Sequence, residues 1–245
     1  MLISKEIFKM KLKLNTMKKY LSLVLSAIFT GIVVSSCVKD DGLAPPPPPE
    51  PGEAELLYYW HFNELPGGTL TEPIPADYTI HNLGGATISY PGEGEGYVDT
   101  RTHREADPVS NWNLRQGQMP DMGAVLRLRN PSATREALFI LPTTGYKDLV
   151  FMFATTRTEN GSQAQEFQVS ADGGTSWTTV VEPYYIPSLP EEEGYLHNTF
   201  DLSEYEELND NPNTRFRILF VGEGNTNDSG NNRLDNVSLD GVAID

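Results

Sequence analysis

The stretch "QEFQVSADGGTSWTTVV", residues 165–181, decides the fold. Phe167 and Val169 point one way and polar neighbours the other, the period of a half-buried strand. "ADGG" (171–174) then supplies turn residues, and Trp177 opens a second extended run. Two such runs around a glycine-bearing turn read as a β-hairpin. Asp172 is placed to accept backbone N–H bonds across the turn, and the glycines supply positive φ. Trp177 is expected to pack under the hairpin.

The same grammar continues in both directions. "ELLYYWHF" (55–62), "ATISY" (86–90), "AVLRLRN" (124–130) and "EALFILP" (136–142) read as strands. So do "DLVFMFATTRT" (148–158), "NTFDL" (198–202), "TRFRILFVG" (214–222) and "NRLDNVSLDGV" (232–242). Leu149, Phe151 and Phe153 share one face, as do Phe216, Ile218 and Phe220. Only "SEYEEL" (203–208) invites a helix, with Ser203 as N-cap and Glu206 three residues on. About ten short strands with regular turn signals predict an all-β fold. The expected architecture is a two-sheet antiparallel β-sandwich of jelly-roll type over residues 55–245, with at most one or two short helices. A barrel is the alternative.

The turn itself, Ser-x-Asp-x-Gly-x-Ser-Trp, resembles the Asp-box of sialidase propellers. There it recurs in several blades, away from the catalytic site. Here it occurs once, without a propeller-length repeat. The remaining search for catalytic groups is negative. His61, His81, His103 and His197 form no zinc signature, and no nucleophile elbow, P-loop or dinucleotide fingerprint is present. A glycosidase needs two carboxyl groups at a set separation. "GEGEG" (92–96) and "EEEG" (191–194) read as solvated loops, and Glu223 alone ends a strand where a cleft could lie. No enzyme is expected, and an unrecognised glycan hydrolase is one alternative.

The chain begins differently. Lys18 and Lys19 precede an apolar run, Tyr20 to Val34, too short for a comfortable membrane span. Ser35 and Ser36 then lead to Cys37, the single cysteine of the chain. This resembles the lipobox of bacterial lipoproteins, which implies a signal peptide over 1–36, with Met17 as its true start, and a lipid anchor on Cys37. A signal anchor or a processed periplasmic protein is the alternative. Residues 37–54 form an acidic, Pro-rich linker, in which Pro45–Pro49 predict a stiff polyproline II spacer. Asp40 and Asp41 resemble the surface-export signal of Bacteroidota lipoproteins, which implies an outer-membrane, surface-exposed protein.

Six lysines and one glutamate precede Cys37, so 12 of the 18 basic and 33 of the 34 acidic residues follow, a net of −21. Such a domain repels phosphate backbones, and nucleic acid is set aside as a partner. Asn63, Glu64, Asp235 and Asn236 have the hard oxygens that a structural calcium takes. Asp235 and Asn236 also break an alternating strand, which predicts a bulge or a ligand-facing kink. Ligand contacts are expected from aromatic and polar residues in loop-rich regions. Trp112, Tyr97, Arg101, Arg104 and Arg115 lie in segment 91–123, and Tyr184 and Tyr185 near 184–195.

Taken together, an apolar strand before "RTENG", the "SADGGTSW" hairpin, "NDNPNTRFRILFVG" and "GNNRLDNVSLDG" resemble the choice-of-anchor J type and related jelly-roll modules of Bacteroidota surface proteins. In lectin-like jelly rolls the first and last strands often lie together. The resemblance implies the sandwich fold and a non-catalytic role, binding an extracellular glycan or another surface ligand. The other reading is a structural or adhesion subunit that contacts an outer-membrane protein partner.

Overall fold

The computed structural model describes residues 52–102, 113, 115, 123–188 and 194–244. Cys37, the signal segment, the Asp40–Asp41 pair, Arg104 and Trp112 lie outside them. The described residues form fourteen strands and one 3-10 turn. The strands are β1 (Ala54–Trp60), β2 (Gly68–Thr69), β3 (Ile74–Pro75), β4 (Tyr78–Thr79), β5 (Thr87–Ser89), β6 (Val98–Thr102) and β7 (Ala124–Arg129). They continue with β8 (Glu136–Ile140), β9 (Tyr146–Arg157), β10 (Ala164–Ser170), β11 (Thr178–Tyr185), β12 (Leu196–Asp201), β13 (Arg215–Val221) and β14 (Asn231–Ala243).

Every strand pairing is antiparallel, and the strands divide into two sheets, an open jelly-roll sandwich rather than a barrel. The smaller sheet runs β11-β10-β13-β8-β5-β3. The larger runs β12-β9-β14-β7-β6-β2, with β1 on β14 and β4 on β1. The last strand is therefore central. On one side β14 pairs with β9 along nearly its whole length. On the other it pairs first with β7, through Leu234↔Leu126, and then with β1, from Val237↔Trp60 onward. The ladder to β9 shifts between Asp235 and Ser238, and Asn236 has φ 51°. The expected bulge is thus the point where β14 changes partner.

Alternation places one face of each sheet in the core. Leu149, Phe151 and Phe153 of β9 meet Phe216, Ile218 and Phe220 of β13, all buried. Phe151 is the hub: its ring centroid lies 5.2 Å from Phe139, 5.2 Å from Phe216, 5.4 Å from Phe167 and 5.5 Å from Phe153. Stacked, tilted and edge-on pairs of this kind each add about 0.5–1.5 kcal/mol beyond the area they bury.

Three local expectations are corrected. Segment 91–123 contains a strand, β6, that its polar sequence hid. Its Asp99 is buried because Arg127 and Arg129 on β7 both hold the carboxylate, at 2.6 and 3.0 Å. "SEYEEL" makes only a 3-10 turn, Glu206–Leu208. Ser203 is not its cap: the N-cap position falls on Tyr205, which makes no side-chain cap bond, while Ser203 donates its N–H to Asp201 Oδ1 at 3.0 Å. The hairpin 165–181 forms, with Gly173 and Gly174 at φ 75° and 88°. Trp177, however, lies on the outer face of the smaller sheet, against Arg217.

Candidate functional site

The strand ends bring one set of loops together. β7, β9, β11 and β13 finish, and β6, β8, β10 and β14 begin, at the same end of the sandwich. Three of its loops are fastened by one side chain. Asn130 is buried, and its Nδ2 meets the carbonyl oxygens of Asn160 at 2.7 Å, Gly224 at 2.8 Å and Ser229 at 2.9 Å. Ser132 and Ala133 add backbone donors to Asn225 O at 2.7 and 3.1 Å. The close packing excludes side chains: a Cβ on Gly230 would stand 2.5 Å from Asn160 O, and one on Gly224 2.3 Å from Gly161 O. A shallow depression of about 340 Å3 opens beside the fastened loops, lined by Glu93, Gly94, Pro131, Ala133, Thr134 and Thr226.

Two aromatic rings stand at this end. Tyr97 is 40% exposed and Tyr185 57%, the two exposed large aromatics among the described residues. Each lies on a guanidinium, Tyr97 at 5.7 Å from Arg129 and Tyr185 at 5.5 Å from Arg157. The arginines are themselves fixed. Arg129 is paired with Asp99. Arg157 is buried and donates to Ile186 O at 2.9 Å, Glu159 O at 2.9 Å and the Tyr185 hydroxyl at 3.1 Å. Arg129 and Arg157 pair with the adjacent Asn231 and Asn232 of β14 from opposite sides. Their backbones are therefore about two strand spacings, roughly 10 Å, apart. A cation under an aromatic ring is attracted by its quadrupole, so both rings are braced from below.

The other sequence-derived candidates are placed elsewhere. Arg101 is on β6, across from Val125, on the outer face of the larger sheet. Arg115 reaches Asp240 of β14 at 2.8 Å and Asn113 Oδ1 at 2.6 Å. Burial raises the Asp240 carboxyl above its ordinary range, and Arg115 partly offsets that. Tyr184 faces the sandwich edge: its hydroxyl donates to Gln165 Oε1 at 3.3 Å and its ring meets Phe200 edge-on. Burial raises its phenol well above the usual range. Tyr184 thus serves the core, whereas Tyr185 beside it faces solvent.

Of the four oxygen donors proposed for calcium, Asn63, Asp235 and Asn236 are engaged by hydrogen bonds near the β14 bulge. Asn63 Oδ1 accepts Ala124 N–H at 2.8 Å, Asn236 Oδ1 accepts the Tyr59 hydroxyl at 2.9 Å, and Asp235 Oδ1 accepts Asn236 N–H at 2.8 Å. Glu64 is exposed. Among the described residues no three His, Cys, Asp or Glu side chains cluster as a metal site would require. The donor set as arranged does not fit a cage of six to eight free oxygens. What turns the end of β1 is Asp77, whose Oδ2 accepts the N–H groups of His61 at 2.7 Å and Phe62 at 2.9 Å. Phe62 leaves the strand at φ 59°. His61 is buried, and Glu223 accepts from Gln163 Nε2 at 3.2 Å.

Sequence reasoning missed Asn130, Arg129 and Arg157. The alternation of β7 already put Arg127 and Arg129 on the face opposite Leu126 and Leu128, which was the available signal for one of them. The contacts of the others join residues far apart in the chain.

No family model matches the chain, and neither does any curated protein. Solved structures do resemble it distantly. The N-terminal cellulose-binding domain of Cellulomonas fimi β-1,4-glucanase C is 16% identical, covering 49% of this chain and 80% of that one, with a TM-score of 0.33. TmCBM61, solved with β-1,4-galactotriose, is 11% identical over 62% of this chain and 86% of that one, at 0.36. The K2 cleaved adhesin domain of Lys-gingipain is 10% identical over 76% and 97%, at 0.41.

Proposed function

We propose that the protein is a non-catalytic lipoprotein, anchored at Cys37 and displayed on the outer membrane. In this reading its sandwich, a choice-of-anchor J-like module, binds extracellular glycan at the loop end. One observation carries the binding site: Tyr97 and Tyr185 stand in solvent at that end, each ring braced by a fixed arginine. A ring held before the ligand arrives loses little rotamer freedom on binding. Its open surface suits the apolar face of a pyranose, and neighbouring backbone carbonyls and Thr134 and Thr226 suit hydroxyls. Asn130 keeps the loops between the rings from spreading.

The test is a glycan array on the full chain in mild detergent, followed by titration of any positive glycan. Tyr97→Ala and Tyr185→Ala are each expected to weaken binding about tenfold, the size of a lost aromatic contact. Unchanged affinity in both variants refutes the loop-end site. Intact-mass measurement on native membranes tests the anchor, and an unmodified Cys37 refutes it.

A further inference from the structure

The hairpin turn 170–177 has no part in the loop-end site, because it closes the opposite end of the smaller sheet. Its bonds are directional. Ser170 Oγ donates to Asp172 Oδ1 at 2.7 Å and accepts Gly174 N–H at 2.9 Å. Asp172 accepts Ser176 N–H at 2.9 Å and Ser176 Oγ–H at 2.6 Å. This lattice delivers Trp177 onto the open face of the sheet, where its ring centroid is 4.2 Å from the Arg217 guanidinium. Arg217 is pinned in turn: Nε donates to Gln168 Oε1 at 2.7 Å and Nη1 to Glu136 Oε2 at 3.0 Å. Gln168 Nε2 donates to Thr179 Oγ1 at 3.1 Å and to the Glu166 carboxylate. Register puts Arg217, Gln168 and Thr179 in one row across β13, β10 and β11. All these side chains remain partly exposed.

We propose that this row is a second binding site, distinct from the loop end, for a neutral polysaccharide. Trp177 offers an aromatic surface that cannot swing away, since a guanidinium lies under it. Gln168 Oε1 and the Glu136 and Glu166 carboxylates keep acceptor lone pairs at sheet spacing, and sugar hydroxyls can donate to them. Charge selects against acidic sugars. Arg217 is already offset by Glu136 at 3.0 Å, the Glu166 carboxylate stands on Gln168 beside it, and the domain around them is strongly acidic. A uronate or sulfate would meet like charge there.

Affinity electrophoresis of the full chain in detergent tests this, with soluble β-glucan, galactan, mannan and xylan as neutral probes and polygalacturonate as the acidic one. At least one neutral probe is expected to retard the protein, and polygalacturonate is not. Trp177→Ala and Gln168→Ala should each weaken that retardation about tenfold, while the Tyr97→Ala/Tyr185→Ala double variant keeps the part due to this face. Far-UV circular dichroism and the melting temperature confirm that each variant is folded. If a variant is not folded, quenching or shift of Trp177 emission by the neutral probe in wild type, absent in Trp177→Phe, decides instead. No retardation by any neutral probe overturns the proposal, as does equal retardation by polygalacturonate or full affinity in Trp177→Ala. A site lost with the two tyrosines but not with Trp177 supports the loop end alone and overturns this one.

Discussion

Replacing Asn130 by alanine removes the donor that three loop carbonyls share. Asn160 O and Gly224 O keep a second donor each, Asn227 Nδ2 and Asn227 N–H, both at 3.2 Å. Ser229 O loses the amide outright. One stranded acceptor costs about 1–3 kcal/mol, and each of the other two bonds is worth about 0.5–1.5 kcal/mol net. Part of the loss is recovered by water, because these loops are at the surface, so the expected destabilisation is about 2–3 kcal/mol. For a domain of this size that lowers Tm by roughly 5–10 °C. Urea unfolding should show a lower midpoint with an unchanged slope. Asn130→Asp supplies the discriminating comparison. It keeps the shape but turns an oxygen toward three carbonyl oxygens, so it should be at least as damaging as alanine. If Asn130→Asp melts like wild type, the amide is not the donor that fastens this end, and the reasoning fails.

Other outcomes follow from the same structure. Phe151→Ala empties the centre of the ring cluster and should cost about 3–5 kcal/mol in urea unfolding; a loss below about 1 kcal/mol would mean that the sheets are not packed through Phe151. The Asp172 carboxyl is held well below the ordinary aspartate range, first by the Ser176 hydroxyl and then by the Ser176 N–H and Ser170. A depressed carboxyl stabilises the fold above its unfolded value and loses that contribution as pH falls through the folded one. Asp172→Asn should therefore melt below wild type at neutral pH, with the gap closing only in strong acid; a pH-independent gap would refute the charge-dependent turn. Calcium added after chelation should leave Tm unchanged, because the oxygens of Asn63 and Asn236 are already accepting hydrogen bonds; a clear rise would show that these bonds yield to a metal.

Strands with an apolar face were legible because alternation is a local signal. Phe216, Ile218 and Phe220 needed no knowledge of their partners to be assigned inward. β6 was not legible, since its buried Asp99 is tolerated only through arginines 28 and 30 residues further on. "SEYEEL" carried a helix-start pattern, but the N-cap position falls on Tyr205 rather than Ser203, and buried Leu208 ends the segment after one turn. At the site, Tyr97 and Tyr185 were recognisable as loop aromatics. The arginines beneath them and the Asn130 fastening were not, because Asn130 reaches carbonyls 30, 94 and 99 residues away. Tyr184 and Tyr185 could not be separated by composition; strand phase alone sends one inward and the other out.

β14 holds the larger sheet from its middle, yet it follows β1, β7 and β9, all its partners, in the chain. Without it, β7, β9 and β1 have nothing between them. Each would expose a long open edge until this 13-residue strand pairs with all three. Closing that sheet therefore requires pairing across most of the domain's sequence, with Ala54 and Val242 among the pairs to be joined. Loss of β14 alone would leave the other thirteen described strands in the chain and the larger sheet without its keystone.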